Sequence, residues 1–151
     1  LVLIISGIAF KLSAAPFHMW TPDVYEGAPT SVTTLLITLP KLAALIVLVN
    51  LLIYPFQNQT ITWVPIIIII SILSMAIGSI SALKQDNLKR LFAFSTIANI
   101  GYVMIGLASV NDEAIKASFL YMFIYTLATL GVFSFIIASL HSALDNSEIS
   151  I

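Results

Sequence analysis

The chain has no cysteine, so it forms no disulfide and holds no thiolate-ligated iron–sulfur cluster of its own. Charge is scarce as well: 9% of its residues are Asp, Glu, Lys or Arg, against roughly 25% in an ordinary soluble domain. So few charges cannot cover a water-facing surface. The net charge of −1 comes without a basic cluster, which leaves nucleic acid nothing to bind. Glycine-rich phosphate loops, catalytic triads and zinc-ligand spacings are missing too, so no catalytic, cofactor or metal site is expected and redox chemistry must lie elsewhere. The opening LVLIISGIAF lacks the charged flank of a signal peptide. It starts without Met inside an apolar run, so the sequence reads as a fragment or one half of a split subunit.

What remains is apolar. Hydrophobic residues make up 60% of the chain and its mean hydropathy is +1.07. A spanning helix needs about 20 such residues, and the expected fold is an all-α polytopic membrane bundle of about five transmembrane helices. They fall at residues 1–23, 30–54, 63–83, 91–110 and 114–140, ahead of a polar tail at 141–151. Pro16 should break the first helix and Pro40 should kink the second, because proline lacks the backbone donor and crowds the preceding turn. A break inside a bilayer survives only where protein or a water-filled cavity meets the freed backbone groups. Asp23 to Pro29 reads as a loop, with Trp20 and Tyr25 in an interfacial aromatic belt. Tyr54 to Thr62 reads as an uncharged loop led out by Trp63. Lys84, Lys89 and Arg90 give the only basic loop, which the positive-inside rule places on the cytoplasmic or matrix side.

The stretch from Lys11 to Lys41 organises the rest. Each lysine is flanked by apolar sequence, and an ionisable residue within a spanning segment is by default a functional one. Burial disfavours the charged form of an amine, so such a group can gain and lose protons, as arginine cannot. All seven acids fall in expected loops or in the tail, so either the lysines are often neutral or their counter-charges come from another polypeptide. His18, beyond the break, suits a structural role as well as proton transfer. His141 begins the tail and reads as solvated, and the two histidines make no metal or haem pair. Asn99, Ser95 and Thr96 could line a polar path, although small polar residues more often serve helix packing. Ser71, Ser74, Gly78 and Ser79 take that packing reading.

The segment FKLSAAPFHMWTPDVYEGAPTSVTTLL resembles the proton-translocating antiporter-like subunits of NADH:quinone oxidoreductase, respiratory complex I, and within that group the subunit 2 type. The pattern there is a lysine, PFHxWxPDxYxGxPxPV, and a second lysine in the next helix. Pro29-Thr30-Ser31 departs from it by one proline, while LPKLAAL fits the second lysine segment. LKQDNLKRLFAFSTIANIGYVMIGL is similar to xQxNxKRLLAYSSIxxxGYxxxG, with Asn99 at a variable position. The likeness runs through residues 5–140.

That resemblance implies two inverted five-helix repeats, each with a broken helix and a mid-membrane lysine. This chain would supply the last two helices of one repeat and the first three of the other. Lys11 and Lys41 would be successive proton relay stations, coupled electrostatically to redox chemistry in other subunits that carry NADH, FMN, iron–sulfur clusters and ubiquinone. Other membrane-arm subunits, chains supplying the missing helices and the lipid bilayer are the implied partners. The alternatives are a subunit of a multi-subunit sodium/proton antiporter and a structural, non-conducting fragment. Abundant isoleucine leans toward a mitochondrial inner membrane, with a bacterial plasma membrane or thylakoid as the alternative.

Overall fold

The computed structural model describes residues 1–148, with side chains described through Leu140 and at Ser142. Every regular element among them is helical. Four helices are long and apolar enough to cross a membrane, and Val2–Leu12 is a shorter apolar helix. The expected all-α membrane bundle is therefore the observed architecture.

The first expected helix is two helices. Val2–Leu12 (α1) ends at Ser13, whose φ of 64° puts it in the left-handed region, and Trp20–Gly27 (α2) follows a run of turns. Ser13 N–H bonds to the Phe10 carbonyl and Ala14 N–H to the Ala9 carbonyl. These two bonds form a Schellman cap, whose left-handed position is usually glycine. The loop expected from Asp23 is helical through Gly27. Pro22 lies in the first turn of α2, where its missing N–H costs no helical bond, and Asp23 complements the N-terminal dipole. Tyr25 is fully buried rather than interfacial, because α2 packs on the helices behind it.

Thr30–Ile53 (α3) runs through Pro40 without a break. Proline there frees the Leu36 carbonyl, and the Tyr25 hydroxyl donates to it across 3.4 Å. A neighbouring helix thus meets the group that the ring displaces. The loop expected from Tyr54 is shorter than its composition suggests. After a 3₁₀ turn at Gln57–Gln59, Thr60–Ala82 (α4) begins ahead of Trp63. Trp63 is buried and donates its indole N–H to the Phe56 carbonyl at 3.1 Å, closing that turn.

Leu88–Ala108 (α5) starts before residue 91 because Asn87 caps it, its side chain accepting from the Lys89 N–H at 2.9 Å. Asp112–Glu148 (α6) continues through most of the expected tail, where no glycine or proline interrupts it. The side chain of His141 and residues 149–151 lie outside the described residues.

Helices α4 and α5 meet through small residues. A Cβ on Gly78 would come within 2.5 Å of the Ala98 nitrogen, and one on Gly101 within 2.9 Å of the Ser71 carbonyl oxygen. Ser71 Oγ donates to the Gly101 carbonyl at 2.7 Å. Close backbone approach of this kind is how helices associate where lipid supplies no hydrophobic drive.

Candidate ion-path site at the broken helix

The Schellman cap leaves the Leu12 carbonyl without a helical donor. Lys41 reaches it from the middle of α3: its Nζ donates to Leu12 O and to Ser13 Oγ, both at 3.1 Å. Lys41 is 1% exposed. Its partners are a carbonyl at the negative end of the α1 dipole and a hydroxyl. Nζ also lies 5.8 Å from the centroid of the Tyr25 ring, within range of a cation–π attraction.

This neutral surround accommodates both protonation states of Lys41. As ammonium, the side chain donates to both oxygens. As amine, it donates to Leu12 O and accepts from the Ser13 hydroxyl, which can serve as donor or acceptor. Among the described residues, ion pairs form only at Arg90, with Asp23 at 3.2 Å and Glu26 at 2.8 Å. No carboxylate therefore fixes the charge of Lys41 from within the described residues.

The far side of the break is also held. Ser74 of α4 accepts a hydrogen bond from the Ala15 N–H at 2.8 Å, and Trp20 donates its indole N–H to the Phe10 carbonyl at 3.2 Å. At the basic end of the bundle, Arg90 grips α2 through Asp23 and Glu26. Asn87 adds a bond to Glu26 at 3.0 Å, and Lys89 one to the Ala28 carbonyl at 2.7 Å. The break is thus suspended between α3, α4 and α5.

The sequence-predicted residues separate here. Lys41 and Pro16 belong to the site, and Pro40 stands beside Lys41 in an unbroken helix. Lys11 does not share the buried position expected of it: the buried face of α1 is Ile5, Ala9 and Leu12, so Lys11 emerges exposed on the opposite face. His18 is buried within the break. Asn99 bonds Ser95 O at 2.8 Å and accepts from the Tyr121 hydroxyl at 2.5 Å, tying α5 to α6 rather than joining Lys41.

Sequence reading missed Ser13, Ser74 and Tyr25. The first had a signal, a small residue three before a proline at a helix stop. Ser74 differs from Ser71 only in what faces it, which a single sequence does not encode.

Known proteins resemble this chain in sequence and in fold. The family described as NADH:quinone oxidoreductase/Mrp antiporter, transmembrane, matches residues 1–150. NADH-quinone oxidoreductase subunit N 1 of Rhizobium meliloti is 50% identical over 138 residues, 91% of this chain and 29% of that protein. Subunit N of Pelagibacter ubique is 50% identical over 134 residues, covering 89% of this chain and 28% of its own length. This chain thus spans less than a third of these curated relatives. A chain of the Mrp complex from Dietzia sp. DQ12-45-1b superimposes with a TM-score of 0.81 at 20% identity, over 87% of this chain and 24% of that one, a likeness of fold. The chain belongs to the NADH:quinone oxidoreductase/Mrp antiporter transmembrane family.

Proposed function

We propose that this chain is part of a membrane-arm subunit of a proton-pumping NADH:quinone oxidoreductase, in which Lys41 is a proton station. The observation that carries the reading is a fully buried lysine held at a helix break by a carbonyl and a hydroxyl. A charge-paired lysine would be a structural tie, whereas this one has partners that fit either protonation state. Lys11, on the outward face of α1, would be the neighbouring station, facing helices supplied from outside residues 1–151.

Coupling between such stations follows from electrostatics. Two unit charges 4 Å apart at an effective dielectric of 20 interact by about 4 kcal/mol, or roughly three pKa units. A charge placed on one station would therefore drive a proton from the next, less strongly at larger separation. The partners are the other membrane-arm subunits, and NADH, FMN, iron–sulfur clusters and ubiquinone belong to the rest of the complex. The relatives at 50% identity are bacterial, which supports a bacterial plasma membrane over the mitochondrial inner membrane.

The second reading, a sodium/proton antiporter subunit, rests on the fold likeness to the Mrp chain. Redox-driven proton uptake into vesicles carrying the intact complex separates the two. The first reading expects uptake without sodium, abolished by quinone-site inhibitors and lowered by Lys41→Ala. Transport that needs sodium and ignores those inhibitors would reverse the choice.

A further inference from the structure

The start of α5 grips the end of α2 through charge. Asn87, besides capping α5, donates its side-chain N–H to Glu26 Oε1 at 3.0 Å. Arg90 Nη1 donates both to Asp23 Oδ1 at 3.2 Å and to Glu26 Oε2 at 2.8 Å, while its Nε donates to Gln85 Oε1 at 3.2 Å. Lys89 Nζ donates to the Ala28 carbonyl at 2.7 Å. These charges suit the helix dipoles: two carboxylates face the N-terminal end of α5, and an ammonium meets the carbonyl end of α2.

The opposite side of α2 faces the lysine. At about 100° per residue, Tyr25 leaves the helix on the side away from Asp23 and Glu26. Its hydroxyl meets the Leu36 carbonyl, and its ring lies 5.8 Å from Lys41 Nζ. A helix of eight residues is too short to hold itself together, so its place is set by what grips its ends. Trp20 ties the first end to α1. At the second end, Thr33 donates to the Tyr25 carbonyl at 3.0 Å, and the rest of the grip is the cluster on α5. An isolated exposed ion pair contributes little, but charges joined in a network contribute more.

We propose that Arg90 is a positioning residue for proton transfer at Lys41, holding α2 on α5 so that the Tyr25 ring keeps its place beside Nζ. The proposal rests on the reading of Lys41 as a proton station and adds a residue that acts on it without touching it. Among the described residues Nζ faces the Leu12 carbonyl, the Ser13 hydroxyl and the Tyr25 ring. Of these three, the ring alone is carried by α2. The cluster at the basic end of the bundle therefore sets one wall of the lysine's surround. A single guanidinium nitrogen serves both carboxylates, so a lysine ammonium can stand in for it, whereas a neutral amide leaves both charges unmet.

The test compares Arg90→Gln and Arg90→Lys in the assembled complex. Quinone reduction, the proton-to-electron ratio and amide exchange of residues 24–28 are followed together. Arg90→Gln should assemble and reduce quinone, with exchange quickened and the ratio lowered toward that of Lys41→Ala. Arg90→Lys should restore both, and so should Arg90→Glu paired with Glu26→Arg. In Tyr25→Leu the ring is gone, so adding Arg90→Gln should lower the ratio no further. The Asp23 and Glu26 side chains are 75% and 40% exposed, which opens the grip to salt. Raising the salt from about 0.1 M to about 1 M shortens the Debye length from about 10 Å to about 3 Å. That should quicken exchange in the wild type and leave Arg90→Gln unchanged. If Arg90→Gln does not assemble, Asp23→Asn with Glu26→Gln decides by the same readings. A wild-type ratio despite faster exchange, or a further loss when Arg90→Gln is added to Tyr25→Leu, overturns the role of Arg90. A wild-type ratio in Lys41→Ala would instead overturn the reading of Lys41.

Discussion

Ser13 holds two separable roles, the left-handed position of the α1 cap and an oxygen for Lys41 Nζ. Ser13→Ala removes the oxygen and keeps a Cβ in the left-handed region. Ser13→Gly removes the oxygen and relieves that region, where a Cβ costs about 1–2 kcal/mol. A buried hydrogen bond to a charged group contributes about 1.5–3 kcal/mol. The alanine variant should therefore lower the free energy of local opening by about 1.5–3 kcal/mol, and the glycine variant by about 1–2 kcal/mol less than that. Amide hydrogen exchange of residues 13–19 in the assembled complex reads this opening directly. At 1.4 kcal/mol per factor of ten, exchange should quicken by about tenfold to a hundredfold in Ser13→Ala and by clearly less in Ser13→Gly. Equal acceleration in both would mean that the left-handed cap does not shape the break. No acceleration in either would mean that Lys41 does not hold it.

Two further outcomes follow from the packing. Tyr25→Phe keeps the ring beside Lys41 but leaves the Leu36 carbonyl unmet, which should cost about 1–3 kcal/mol. In a Pro40→Ala background a backbone N–H takes over that carbonyl, so the cost should largely vanish in a double-mutant cycle of exchange rates in α3. At the α4–α5 contact, Gly101→Val forces branched atoms toward the Met75 nitrogen and the Ser71 carbonyl oxygen, each 2.9 Å from a bare Cβ. Overpacking there should destabilise by about 1–3 kcal/mol. It would be read as a lower midpoint of thermal release of this chain from the complex, while Gly7→Ala, at a site with nothing within 4 Å, should leave that midpoint unchanged.

The helices were legible because a bilayer demands long apolar runs: α3, α4 and α5 begin and end within three residues of where hydropathy puts them, whereas α6 runs eight residues further. Pro16 marks the break, but a single proline does not say how the chain resumes, so Asp23 to Gly27 reads as loop in sequence although it completes α2. Pro40 carries the same local signal without breaking its helix, because Tyr25 compensates for it from fifteen residues away in sequence. Tyr25 itself looked interfacial beside Trp20, since an aromatic residue near an expected loop reads alike whether it meets headgroups or a buried lysine. Lys11 and Lys41 are equally conspicuous in sequence. Their different fates follow from the face each takes on its helix: Lys41 points at the broken end of α1, and Lys11 points away from this chain's own core.

The most direct test of the central claim is the number of protons pumped per electron by the intact complex carrying Lys41→Ala, with assembly and quinone reduction followed in the same preparation. An assembled complex that still reduces quinone, with a lowered proton-to-electron ratio, is the expected result. An assembled Lys41→Ala complex that pumps at the wild-type ratio would contradict it, and would leave Lys41 as a tie that holds the broken helix to α3.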